Sequence, residues 1–143
     1  MWRAVVDTNL IVSGTASTNS IPYYVLEAWR KNEYVLVTSP QIIAEVKEVL
    51  NRLYIKRYFH LTNTQIQNVI KSFETRAFVT AGATSVDIVK DDPDDNMVVA
   101  AAIEGSATHI ISGDKHLLNL DAYQNIPIVT ARQFLEKNLK KKV

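Results

Sequence analysis

Residues 3–14 of the chain are RAVVDTNLIVSG, in which a short β-branched run leads directly into an acidic residue, Asp7. Such a run is typical of a buried strand. A carboxylate at the end of a buried strand loses water, so it needs hydrogen bonds, a cation or a chemical role. Which of these applies to Asp7 depends on where the other acidic residues fall.

The rest of the chain alternates between two kinds of apolar pattern. Further β-branched runs occur at residues 34–37 (YVLV), 109–112 (HIIS) and 126–129 (IPIV), and stretches with helical spacing lie between the runs and after the last one. Strands that alternate with helices predict a mainly parallel sheet covered on both faces. We therefore predict an α/β protein of three layers, α/β/α, and 143 residues fit one domain, 1–143.

Several helix boundaries are signalled in the sequence. We expect a first helix at about residues 21–31, and a second in 39–54 that begins with Ser39 as N-cap and Pro40 in the first turn. Glu45 lies at the edge of the apolar stripe of this second helix, which is formed by Ile42, Ile43, Val46, Val49, Leu50 and Leu53. Three later helices are predicted in residues 61–73, 94–105 and 130–139.

Composition excludes several classes of protein. An apolar share of 47% with four Gly and four Pro indicates a globular chain, and the absence of cysteine rules out disulfides and thiolate metal sites. No apolar run approaches the ~20 residues that span a membrane. We therefore expect a cytoplasmic protein with no membrane partner. The net charge is only +1, so charge alone does not indicate a nucleic-acid partner.

Acidic residues occur where such a fold would bring them together, because ligands of open α/β sheets bind beyond the carboxyl ends of the strands. They come from four separate segments: Asp7, Glu45, the group Asp92, Asp94 and Asp95, and Asp114. Each alone could serve as a turn or helix-cap residue. Together, their negative charges would repel one another unless a cation shared the site. An all-oxygen set favours Mg²⁺ or Mn²⁺.

Four motifs, VVDTNLIVSG, SPQIIAEVKEVL, DDPDDNMVVAAAIEG and IISGDKHLL, resemble those of the PIN-domain nucleases. The resemblance is particularly close to small single-domain proteins described as PIN-family toxins of toxin-antitoxin systems, and it covers nearly the whole chain. It implies a Mg²⁺- or Mn²⁺-dependent endoribonuclease that cleaves single-stranded RNA. It also implies a small antitoxin protein as partner, and a homodimer.

The resemblance also assigns residues to the site. Asp7, Glu45, Asp95 and Asp114 match the acidic positions, while Asn9 and Ser112 match polar residues that accompany the first and last acids. The third acidic position could instead fall on Asn96. We favour Asp95, with Asp92 as an additional or substitute ligand. His116 could act as a proton donor, although an exposed histidine near a helix cap is the simpler interpretation.

Residues 52–60, RLYIKRYFH, combine cations with aromatic rings that could bind phosphates and stack on unpaired bases. The simpler interpretation is a helix end whose rings face the core. Two other functions stay open. One is a PIN-like module that binds protein or RNA without effective cleavage, and the other is an aspartate-based phosphatase or phosphoacceptor domain. The sequence also does not separate RNA from DNA substrates.

Overall fold

The structure is a computed structural model that describes residues 1–88 and 92–143. In these two ranges, six strands form one sheet: β1 (Arg3–Val6), β2 (Val35–Thr38), β3 (Phe78–Val79), β4 (His109–Ile111), β5 (Ala122–Tyr123) and β6 (Ile126–Val129). The helices are α1 (Thr8–Ala16), α2 (Ile21–Arg30), α3 (Pro40–Leu50), α4 (Leu53–Tyr58), α5 (Asn63–Arg76), α6 (Pro93–Glu104), α7 (Lys115–Leu120) and α8 (Ala131–Gln133), and a π-helix follows at Phe134–Asn138.

The strand order across the sheet is β3-β2-β1-β4-β6-β5. All neighbouring strands are parallel except β5, which pairs antiparallel with β6 at one edge. The chain builds one side of the sheet from β1 to β3 and then crosses to build the other side from β4. The strand order therefore reverses between β1 and β4, which is where ligands bind in open sheets of this kind.

Burial of the central strand confirms the predicted three layers. Ala4, Val5 and Val6 are each at most 1% exposed, although successive side chains of a strand point to opposite faces. Both faces of the sheet are therefore covered by helices. The helix α6 packs against β1, β2 and β4, so it crosses the sheet at the point of strand reversal.

Most predicted helix starts are confirmed by their caps. The Ser39 hydroxyl accepts a hydrogen bond from the Ile42 N–H at 3.2 Å, and Pro40 is the first residue of α3. Thr62 and Gln65 form a capping box at the start of α5. The predicted helix in 39–54 is too long, because α3 ends at Leu50 and a turn separates it from α4.

The helix α4 differs from the simpler interpretation of residues 52–60. None of its residues is buried, and Leu53, a member of the predicted apolar stripe, is 61% exposed. Tyr54 and Tyr58 are 64% and 76% exposed, so their rings do not face the core. That interpretation is wrong for the two tyrosines, because the buried helix α3 ends at Leu50 and α4, which carries them, buries none of its residues.

The helix α1 was not predicted. It begins at Thr8, directly after β1, and the Asp7 side chain caps it by accepting a hydrogen bond from the Leu10 N–H. Gly14 allows α1 to lie close to α2, since a Cβ at this position would be 2.7 Å from the Pro22 carbonyl oxygen. The predicted last helix is also divided, with a π-helix after Gln133.

Within residues 1–88 and 92–143, none of the helices combines the length and the apolar character needed to cross a membrane.

Candidate metal-binding active site

Pairing of β1 with β4 brings together two segments that are far apart in sequence. Val6 is the register partner of Ile111, and the Asp7 N–H donates to the Ile111 carbonyl oxygen at 3.0 Å. Asp7 and Ser112 therefore occupy equivalent positions just after the carboxyl ends of β1 and β4. Both side chains are buried, with 5% and 0% of their surface exposed.

Ser112 links the two acids that follow these strands. Its hydroxyl donates a short hydrogen bond to Oδ2 of Asp7 and accepts one from the Asp114 N–H at 3.0 Å. The Asp7 carboxylate also accepts hydrogen bonds from the N–H groups of Leu10 at 2.9 Å and Gly113 at 3.3 Å. Burial raises the pKa of Asp7; these hydrogen bonds oppose that effect, and the nearby Asp114 adds to it.

The first turn of α6 supplies the third segment of the site. Asp92 caps this helix by accepting a hydrogen bond from the Asp95 N–H at 3.3 Å. Asp95 is only 5% exposed, and its Oδ2 has no hydrogen-bond partner among the described residues. Burial, followed by the charges of Asp114 and Asp92, raises the pKa of Asp95 to about 8. In the part of the chain that the structure describes, no cation balances the negative charge of this carboxylate.

Four side chains could share an ion. Asp92, Asp95, Asp114 and His116 each offer one ligand atom, and these atoms all lie within 4.8 Å of one another. The His116 ring is 67% exposed, and its Nδ1 is 3.6 Å from Oδ1 of Asp114. The group therefore extends from the buried Asp95 to the protein surface.

A small cavity adjoins this group on the side of Asp7. It has a volume of about 20 Å³ and is lined by Asp7, Thr8, Asn9, Asp94, Asp95 and Val98. A cavity needs roughly 10–15 Å³ to hold one water molecule. There is therefore room for one water or ion between Asp7 and Asp95.

Glu45 lies beside this centre and outside the four-residue group. Burial raises the pKa of Glu45, and the charges of Asp94 and Glu48 raise it further. Glu45 is thus close enough to the first turn of α6 to interact with it electrostatically. Of the four acids expected to converge, Asp7, Asp95 and Asp114 meet at the end of the sheet, and Glu45 approaches them through Asp94.

The auxiliary residues take different positions. Asn9 is exposed and lines the cavity, but Ser112, Leu10 and Gly113 are the residues that hold Asp7. Asn96 accepts a hydrogen bond from the Ile88 N–H at 3.0 Å, which directs its side chain toward the 80–88 loop. The side chain at position 95 therefore joins the acidic group, and the one at position 96 contacts the loop.

The residues present suit a divalent cation. Oxygen ligands of this kind are preferred by Mg²⁺ and Mn²⁺. A cation would stabilise the three carboxylates of the four-residue group and the buried Oδ2 of Asp95, for which the described residues offer no hydrogen-bond donor. His116 adds one imidazole nitrogen to the expected all-oxygen set.

Two residues have positions in the site that the sequence analysis did not assign to them. His116 is exposed as expected, yet its ring lies within reach of the acids; its place two residues after Asp114 was the available signal. Asp94 lines the cavity beside Asp7, and sequence alone did not show which acid of the 92–95 group points there.

Comparison with known proteins gives a consistent result. The chain is 27% identical to the uncharacterized protein MJ1680 of Methanocaldococcus jannaschii, over 94% of this chain and 90% of that protein. It superposes with a TM-score of 0.57 on the crystal structure of VapBC2 from Rickettsia felis bound to a DNA fragment from their promoter. That match has 15% identity and covers 88% of this chain and 96% of the other, so it shows a shared fold.

A family model described as PIN domain matches residues 3–116. This range contains the acids of all four segments and most of the sheet. The resemblance derived from the sequence motifs is confirmed, and the chain belongs to the PIN domain family.

Proposed function

We propose that this protein is a Mg²⁺- or Mn²⁺-dependent endoribonuclease that hydrolyses phosphodiester bonds of single-stranded RNA. Membership of the PIN domain family supports nuclease chemistry. The observation that carries the proposal is the buried Asp95 carboxyl, which lies against Asp92 and Asp114 and whose Oδ2 has no hydrogen-bond partner within residues 1–88 and 92–143. Such an arrangement costs stability unless a cation neutralises it.

In this proposal, Asp95 and Asp114 hold the divalent cation, and Asp7 lines the cavity beside it. Asp92 and His116 complete the set of ligand atoms on the solvent side. Ser112 is a positioning residue, because it fixes the Asp7 carboxylate and the Asp114 backbone with one hydroxyl. Glu45 stands near Asp94, where it could accept a proton from water or bind a second ion.

A bound divalent cation would supply positive charge beside the scissile phosphate and favour loss of a proton from the attacking water. The chain's own residues orient the ligand atoms and exclude bulk water from Asp7 and Asp95. The Asp7 carboxylate is held by three hydrogen bonds, so its position is fixed before any ligand binds. Prior orientation of this kind lowers the cost of reaching the transition state.

We further propose that the nuclease is the toxin of a toxin-antitoxin pair in the cytoplasm. The sequence motifs resemble those of PIN-family toxins, and the fold matches that of VapBC2. A small antitoxin protein would then be the partner. Co-expression with a protein encoded by a neighbouring reading frame, followed by co-purification and recovery of growth, tests this role.

The nuclease is tested with labelled single-stranded RNAs in Mg²⁺, in Mn²⁺ and in EDTA. We expect cleavage with either ion and none in EDTA. Asp7→Asn and Asp114→Asn each remove a negative charge at constant volume, and they should lower the rate roughly a hundredfold or more. Glu74→Gln, on the exposed side of α5, is the matched control and should cleave like the parent.

The pair Asp95→Asn and Asn96→Asp tests which residue occupies the third acidic position. If Asp95 is the ligand, Asp95→Asn should abolish cleavage, and Asn96→Asp should not restore it in the double variant. Isothermal titration with Mn²⁺ gives a second readout, because Asp95→Asn should weaken binding without RNA present.

Other outcomes would identify the alternatives. Mn²⁺ binding without cleavage of any RNA would indicate a binding module. Acid-labile phosphate on one aspartate would indicate a phosphoacceptor domain. Cleavage of single-stranded DNA at the same rate as RNA would widen the substrate class.

A further inference from the structure

Residues 52–60 present an aromatic and basic surface that the proposed chemistry does not use. The Tyr54 and Tyr58 rings are mostly exposed, although rings of this size usually contribute to a core. They are four positions apart in α4, so they lie on one side of the helix, about 6 Å apart along its axis. Two exposed rings on one side form a surface on which flat groups can stack.

The charge of this surface is positive. Arg52, Lys56 and Arg57 lie within seven residues of Tyr58, and the segment contains no acidic residue. Arg52 is partly neutralised by Glu48 of α3, at 3.1 Å. Arg57 is exposed and forms no ion pair among the described residues, so its guanidinium can bind a negatively charged group.

The segment is held in a defined position. The Lys56 ammonium donates a hydrogen bond to Oδ1 of Asn63 in α5, and the Leu61 N–H donates to the Lys56 carbonyl oxygen at 2.9 Å. The Tyr58 ring also packs edge to face on the half-buried Phe59, with their centroids 4.8 Å apart. Because these contacts already order the segment, less conformational entropy is lost when it binds a partner.

The same segment is connected to the acidic site through one helix. The helix α3 packs against both α4 and α6, and the first turn of α6 carries Asp94 and Asp95. Asp94 lines the cavity shared by Asp7 and Asp95. The basic segment and the acids therefore lie on helices that contact the same neighbour, α3.

We propose that residues 52–60 bind an unpaired polynucleotide strand, with Tyr54 and Tyr58 stacking on bases and Arg57 and Lys56 contacting phosphates, and direct it to the acidic site. The proposal rests on the proposed function, in which that strand is RNA. Stacking of bases on aromatic rings combined with cations along the backbone is how proteins bind single strands without reading sequence.

A second copy of the chain fits this surface less well. In a two-fold dimer the same patch faces itself, so Lys56 and Arg57 of one copy would approach those of the other. The segment offers no carboxylate to balance them, and Glu48 is already engaged with Arg52. A polyanion complements the charge, whereas a second copy repels it.

The test measures RNA binding in EDTA, which removes the divalent ion and so prevents the proposed cleavage. The full chain is titrated into a fluorescein-labelled, uridine-rich RNA of about 12 nucleotides, a length within the range bound by single-strand proteins. We expect Tyr54→Ala and Tyr58→Ala each to weaken binding roughly tenfold, while Tyr58→Phe retains it. Arg57→Gln should reduce the slope of log K against log salt by about 0.7.

Matched controls lie elsewhere on the surface. Tyr24→Ala removes a ring from α2, and Lys71→Gln removes a cation from α5; both residues are exposed, and neither change should alter binding. Since α4 buries no residue, the variants should keep the parent's circular dichroism spectrum and melting temperature. Equal binding of single-stranded DNA would support the proposal, because stacking does not read the sugar.

Three results would overturn it: no binding of the RNA by the parent in EDTA, binding of duplex RNA as tight as that of the single strand, or binding unchanged in the double variant Tyr54→Ala/Tyr58→Ala. A parent dimer that this double variant converts to a monomer, as seen by sedimentation, would assign the surface to self-association instead. If the parent binds the RNA but does not cleave it with either ion, the proposed nuclease activity is wrong and the proposed binding surface is still supported.

Discussion

Ser112→Ala is the substitution that most directly probes how the site is held together. The Ser112 hydroxyl is fully buried, donates to the Asp7 carboxylate and accepts from the Asp114 N–H. Alanine removes both hydrogen bonds and leaves a carboxylate oxygen and an N–H group without that partner. Asp7 keeps its bonds from Leu10 and Gly113, so the loss is partial.

The magnitude follows from the kind of bond that is lost. A hydrogen bond to a charged group contributes about 1.5–3 kcal/mol, and a buried group left unsatisfied costs a similar amount. We therefore expect the free energy of unfolding to fall by roughly 2–3 kcal/mol. For a chain of this length, that corresponds to a decrease in melting temperature of roughly 6–12 °C.

The assay is urea denaturation in EDTA, followed by circular dichroism, with Ser13→Ala as the matched control. Ser13 is exposed on α1, so its substitution should change the free energy of unfolding by less than about 0.5 kcal/mol. The Ser112 bond is also the strongest influence that lowers the pKa of Asp7, so Ser112→Ala should shift Mn²⁺ binding to higher pH. If Ser112→Ala were as stable as Ser13→Ala, the link between Asp7 and Asp114 would not hold the site.

Three further predictions concern charge and packing. In EDTA, the free energy of unfolding should decrease as pH rises from about 4 to about 8, because folded Asp95 keeps its proton to about pH 8 whereas the unfolded acid loses it near 3.8. Asp95→Asn should weaken this pH dependence, and an unchanged dependence in the variant would contradict the prediction. Burial lowers the pKa of His109, so acidification below its ordinary value of 6.5 should destabilise the protein, since the unfolded chain then binds the additional proton. His109→Gln should remove this loss of stability in urea titrations, and a loss that persists in the variant would belong to another group. A Cβ at Gly105 would lie 2.4 Å from Cγ1 of Val37, so Gly105→Ala should cost about 1–3 kcal/mol, and a melting temperature equal to that of the parent would show that α6 can move away.

The β-branched runs and the helix caps were sufficient to predict the sheet and most of the helices. Parallel strands buried on both faces leave a strong apolar signal, as at residues 4–6. The helix α1 was missed because Thr8, Asn9 and Gly14 are weak helix formers, and the helix depends on the Asp7 cap and on packing against α2. Tertiary contacts of this kind are invisible to a local pattern.

The site was only partly predictable, for a physical reason. The ends of β1 and β4 determine the positions of Asp7 and Asp114, since the backbone pairing of the two strands fixes their register. The direction of Glu45 depends on the angle at which α3 leaves the sheet, which the sequence does not reveal. In the same way, the i, i+4 spacing of Tyr54 and Tyr58 showed that they share a helix face, but not that this face is exposed.

The hydrogen bond between Asp7 and Ser112 joins residues that are 105 positions apart, and this separation matters while the chain is being synthesised. Synthesis proceeds from the N-terminus, so a nascent chain carries Asp7 long before β4 exists. Until residues 109–114 leave the ribosome, Asp7 has neither Ser112 nor Asp114 beside it, and the four-residue group lacks two members. The acidic centre is therefore completed only after the chain has been made through His116, when β4 can pair with a β1 that has long since left the ribosome.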